Sequence, residues 1–104
     1  MEYLQRIVSF DPQPATLRCS GDEDRSTQSE RRRAMARALK TTSDLVVDLS
    51  ELRFADASLM LDLAMVARRL RRRGRRLLLR GAQPQIHRLI ELVGLNRQPG
   101  VQFA

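Results

Sequence analysis

Very little in this sequence supports chemistry. It has one cysteine, Cys19, so no intrachain disulfide framework can form and a reducing, cytoplasmic setting is expected. It has one histidine, His87, and no Cys/His cluster with metal-ligand spacing. No Gly-rich loop is present to cradle a phosphate. Tryptophan is absent and aromatics make up 4% of the chain, which leaves no stacking platform for single-stranded nucleic acid. No apolar run approaches the length of a membrane span, and "MEYLQRIVSF" lacks a signal-peptide pattern. Lysine is nearly absent too: of 19 basic residues only Lys40 is not arginine. That imbalance reads as genomic base composition and is discounted as a nucleic-acid signal.

What is present is an ordinary soluble composition. The 104 residues, 42% hydrophobic and 30% charged with a net charge of +7, fit one domain, 1–104, with a modest core. "YLQRIVSF" (3–10) and "ATLRCSG" (15–21) read as strands, and "DPQP" (11–14) as the turn of a hairpin. A helix is expected from an N-cap at Ser26 or Thr27 to about Lys40, with Ala34, Met35, Ala38 and Leu39 as its stripe. "DLVVDLS" (44–50) and "RRLLLRG" (75–81) read as strands buried on both faces. Between them a helix is expected from Asp56 to about Arg73, stopped by Gly74. Pro84 opens another helix that closes on Gly94, and "VQFA" (101–104) is a short last strand. The order β-β-α-β-α-β-α-β implies an α/β fold with parallel pairing in a mixed sheet and right-handed crossovers.

The central segment "FADASLMLDL" (54–63) poses the functional question. Placed at 100° per residue, Leu59, Met60, Leu63, Ala64, Val66, Ala67 and Leu70 cover one arc, the core side. Leu61 and Met65 fall on the far side with Ser58, flanked by Arg68, Arg69 and Arg72. Two readings stand side by side: scattered surface apolars, or a partner-docking patch at the helix N-terminus. Asp56 is the expected N-cap, worth about 1 kcal/mol. The same helix end also favours added negative charge, so a first-turn hydroxyl could serve as a phosphorylation switch.

The order of "DLVVDLSELRFADASLM", an Arg-rich helix, "GRRLLLRG" and "PQIHRLIELVGL" resembles the STAS domain, a name covering sulfate transporters and anti-sigma factor antagonists. The likeness spans about residues 15–104. The family's Gly-Glu-x-Asp element, followed by a Thr, is matched by Gly21, Asp22, Glu23, Asp24 and Thr27. Its Asp-Ser-Ser/Thr-Gly-Leu loop is matched by Asp56, Ala57, Ser58, Leu59 and Met60. The resemblance implies a STAS-like mixed sheet, here without the family's final helix. It also implies partner switching, in which the unmodified antagonist sequesters an anti-sigma factor that is also a serine-protein kinase. The kinase then phosphorylates the first hydroxyl after the Asp. That position is Ala57, so the motif is degenerate and Ser58 is left as the candidate hydroxyl.

The partner surface implied comprises Asp24, Thr27, Asp56, Ala57, Ser58, Leu61 and Met65. No catalytic residue, metal or cofactor is expected, and a homodimer is left open. The alternative within the fold is an accessory subunit of a phospholipid-transport ATPase. A third reading, a basic nucleic-acid-binding protein, rests on the eight arginines of 68–80 and lacks any reader motif. Arg68–Arg76 is expected to be a solvated face. Cys19 is expected in the core, and His87 in a surface pair with Glu91.

Overall fold

The computed structural model describes residues 8–12, 14–23 and 25–104. Strand β1 (Val8–Pro12) pairs antiparallel with β2 (Ala15–Glu23). Three parallel crossovers follow: α1 (Gln28–Ala38) leads to β3 (Leu45–Ala55), α2 (Ala57–Arg72) to β4 (Leu77–Arg80), and α3 (Pro84–Val93) to β5 (Val101–Phe103). The sheet order is β1-β2-β3-β4-β5, so the expected mixed α/β sheet is present. Each crossover steps the same way across the sheet. With right-handed connections this puts all three helices on one face.

Burial follows from that layering. Leu17, Cys19, Leu45, Val47, Leu49, Leu77 and Leu79 are buried under the helices. Their neighbours Arg18, Ser20, Val46, Asp48, Ser50, Leu78 and Arg80 are half-buried or exposed. The central strands are therefore covered on one face, not both. An apolar run short enough to be a strand cannot by itself distinguish these cases: Val46 and Leu78 pair with each other on the open face, half-buried between Thr16 and Gln102. On the open face Arg18, Asp48 and Arg80 fall in one row across β2, β3 and β4, with Arg80 Nη2 3.2 Å from Asp48 Oδ2. Burial alone would raise the Asp48 carboxyl. The Ser50 backbone N–H and hydroxyl, together with Arg80, outweigh it and hold the group below its ordinary value.

The hairpin is tighter than expected. Pro12 stays in β1, opposite Ala15, instead of belonging to the turn. A proline is tolerated there because β1 is an edge strand and Pro12 is its last residue, where at most one ladder bond is lost. Residues 3–7 of the expected first strand lie outside the described residues.

Strand β3 is also longer than expected, and this matters for the site. β4 pairs only with Leu45–Asp48, while β3 continues beside β2 to Ala55 with two register shifts. Where β4 has ended, the side-chain amides of Gln83 and Gln85 donate to the Ser50 and Arg53 carbonyls, at 3.2 and 3.1 Å. Those carbonyls would otherwise lie along an unpaired edge. The projecting end of β3 carries the start of α2. At the other end of the α3 unit, Gly94 closes the helix at φ 80°, a left-handed conformation suited to glycine, and its N–H donates to the Ile90 carbonyl.

Candidate functional site

Asp56 leaves β3 in an extended conformation, φ −105° and ψ −179°, and its Oδ1 accepts from the Ser58 backbone N–H at 2.9 Å. It is the N-cap expected from sequence. The Ser58 hydroxyl donates to the same Oδ1 and accepts from Arg31 Nη2 at 2.8 Å. Ser58 is thus half-buried and engaged, instead of pointing outward as the wheel suggested. The reason is α1. The edge of α2 that carries Ser58 is free on an isolated helix but meets α1 in the fold.

Arg31 lies on α1 and is fully buried. Its Nε donates to Asp62 Oδ2 at 2.8 Å, and Asp62 is itself only 4% exposed. Arg32 Nη2 reaches Asp62 Oδ1 at 3.5 Å. A continuous polar chain therefore runs Asp56–Ser58–Arg31–Asp62 and ties the first turns of α2 to α1. Neither Arg31 nor Asp62 was singled out from sequence. A signal was available: Arg31 precedes Ala34, Met35 and Ala38 on the inward stripe, and Asp62 borders the arc of Leu59 and Val66. Opposite charges on the inward edges of two helices satisfy each other when those helices pack together.

The other expected residues divide. Leu61 is 69% exposed and Met65 41% exposed, so both are on the surface. Ala57 is exposed in the first turn. Thr27 is half-buried at the N-cap of α1, one turn before Arg31, and makes no side-chain capping bond. Asp24 lies outside the described residues. Met65 also borders a groove of about 190 Å³ between α1 and α2, whose floor includes Met35, Leu39 and Val66 and whose rims carry Arg32 and Arg69. Phe54, two residues before Asp56, is 57% exposed and was not anticipated.

The basic segment is not one solvated face. Arg75 is only 6% exposed and donates to the Leu39 carbonyl at 3.1 Å and to Thr41 Oγ1 at 2.9 Å. Arg73 reaches the same Leu39 carbonyl at 2.8 Å. Both bind the open C-terminal end of α1, where unpaired carbonyls need donors. Arg76 clasps Asp44 through its backbone N–H at 2.8 Å and its guanidinium at 3.1 Å. Arg68, Arg69, Arg71 and Arg72 remain exposed. As expected, Cys19 is buried and His87 Nδ1 lies 3.4 Å from Glu91; His87 also stacks on Phe103 at 4.5 Å. Among the described residues, no group of three His, Cys, Asp or Glu is placed to hold a metal, and no helix is long and apolar enough to cross a membrane.

These features define an α/β domain whose distinctive geometry lies at the α2 N-terminus and along the α1–α2 edge. The family model described as "Mlab, STAS domain" matches residues 7–102, and the chain belongs to this STAS-domain family. Solved structures similar to it include the Bacillus cell fate determinant SpoIIAA in its phosphorylated form. The TM-score is 0.61 at 20% identity, covering 99% of this chain and 87% of that one. The anti-sigma factor antagonist SpoIIAA in its unphosphorylated form is similar at TM-score 0.60 and 20% identity, covering 99% and 86%. Those likenesses carry the fold. Comparison with curated protein sequences gives no significant match.

Proposed function

We propose that this chain is a protein-docking module that acts as an anti-sigma factor antagonist. In the cytoplasm it sequesters an anti-sigma factor of the serine-kinase type and so promotes sigma-dependent transcription. The docking surface is the start of α2 with its outward residues Leu61 and Met65, together with Thr27 at the N-cap of α1; Asp24 is included on the sequence resemblance alone. The chain carries out no catalytic step and uses no cofactor or metal.

The observation that supports this reading best is the first turn of α2. Ala57 stands exposed where the family's kinase finds its hydroxyl, and Ser58 beside it is already bonded to Arg31 and Asp56. A module built this way keeps the docking surface but lacks the off-switch. The same observation favours a second reading, an accessory subunit that stays docked on a phospholipid-transport ATPase, because a permanent subunit needs no phosphoswitch.

Co-purification separates the two: a kinase-like anti-sigma factor supports the first, an ATPase the second. In either complex, Leu61→Asp or Met65→Asp should weaken binding about tenfold or more by charging an apolar contact, with the fold retained. Undiminished binding by both variants would rule out this surface.

A further inference from the structure

We infer that the groove between α1 and α2 receives an acidic amphipathic helix of a partner protein, whose apolar face seats on Met35, Leu39, Met65 and Val66 and whose carboxylates meet Arg32 and Arg69. This rests on the docking reading above and names the chemistry of the partner segment. The groove holds about 190 Å³, below the range of roughly 300–1,000 Å³ usual for small-molecule sites. It suits one or two large side chains projecting from a segment that lies across its mouth. Its two methionines supply an adaptable apolar wall.

Charge selects the partner. Asp62 is the one carboxylate in the groove lining, and it is already held by Arg31 and Arg32. Arg69 makes no ion pair among the described residues, and Arg68 and Arg72 stand exposed on the same helix. An incoming apolar segment with acidic flanks would find complementary charge at the rim. A helix fits better than a strand, because the floor is formed by two packed helices whose side-chain ridges accept a third. A flat lipid surface fits less well, since the apolar floor is recessed between arginines. Nucleic acid fits less well too, since no aromatic lines the groove.

The test is selection of binders from a displayed library of randomised 16-residue helical peptides on the full chain. The binders should carry Glu or Asp beside Leu, Met or Phe at i, i+3 or i+4 spacing. Amide shifts in the nuclear magnetic resonance spectrum should map them to Met35, Leu39 and Met65. Arg69→Glu should reduce their affinity about tenfold, while Arg88→Glu, on an exposed site of α3, should leave it unchanged. The inference is overturned if no peptide is enriched, if the enriched peptides are neutral or basic, or if Arg69→Glu leaves their binding intact. It is equally overturned if vesicles of anionic phospholipid or a DNA duplex displace the peptides from the groove. Failure of the docking reading is seen separately, because Leu61 lies outside the groove. Retained capture of the purified partner by Leu61→Asp, which leaves the groove untouched, counts against that reading, whatever the peptides do.

Discussion

The guanidinium of Arg31 in α1 and the carboxylate of Asp62 in α2 form a buried ion pair at 2.8 Å, joined through Ser58 to the N-terminal cap of α2, where the proposed docking surface begins. A buried pair of this kind does little for net stability compared with well-packed apolar residues, but losing Arg31 leaves the buried Asp62 carboxylate with only the exposed Arg32, 3.5 Å away, as a cationic partner. Its position suggests that it sets how α2 lies against α1.

Breaking the pair should therefore be costly. Arg31→Met is expected to lose about 3–5 kcal/mol, and Arg31→Met with Asp62→Leu should recover most of that. Urea denaturation of the parent, the single and the double variant measures both steps. A single variant as stable as the parent would mean that the pair contributes nothing to holding the helices.

Arg75 and Arg72 are neighbours in a basic run but should behave differently. Removing Arg75 strips donors from the Leu39 carbonyl and Thr41, so Arg75→Ala should cost about 1–3 kcal/mol. Arg72→Ala, at an exposed site, should stay within about 0.5 kcal/mol of the parent. Thermal melting resolves the difference, since 1 kcal/mol shifts Tm by roughly 4–8 °C in a domain of this size.

Phosphorylation provides the sharpest check on regulation. If the proposed antagonist reading holds, then on incubation with ATP and the anti-sigma kinase that co-purifies with it the parent should take up no phosphate, whereas Ala57→Ser should be modified at residue 57 and lose partner binding. Mass spectrometry locates the group. Stoichiometric phosphate on Ser58 of the parent would refute the unswitched reading.

The acid limb of stability should depend on Asp44. The backbone N–H of Arg76 holds the carboxyl below its ordinary value of 3.8; burial opposes this, and the Arg76 guanidinium adds to the lowering. The ionised group is therefore favoured in the folded state. Its contribution is full above 3.8 and is lost as pH falls through the depressed value. Asp44→Asn should be less stable than the parent at neutral pH, with the gap closing only as pH falls below 3.8 and through the depressed value. A gap independent of pH would show that the charge is not the operative feature.

The sequence by itself determined the element order, because helix and strand periods differ and Gly74, Gly94 and Pro84 punctuate them. It also determined that Asp56 caps α2, since a cap is local and needs only the residues that follow it. The outward placement of Leu61 and Met65 was legible for the same reason: a single helical wheel contains it. The long end of β3 was not legible, because the apolar positions Leu52 and Phe54 of "ELRFA" (51–55) are out of step with Leu45, Val47 and Leu49, and the segment pairs through β2 alone, across register shifts. The inward placement of Arg31 and Asp62 was signalled only by their positions beside the apolar stripes, and that of Arg75 was hidden. A charged side chain becomes a reasonable core residue only when its partner is in place, and here the partners are some thirty residues away in the chain. Whether Ser58 faces solvent or Arg31 was likewise decided by tertiary structure. A helix alone defines the direction of a side chain, but only the packing of α2 against α1 defines what it meets there.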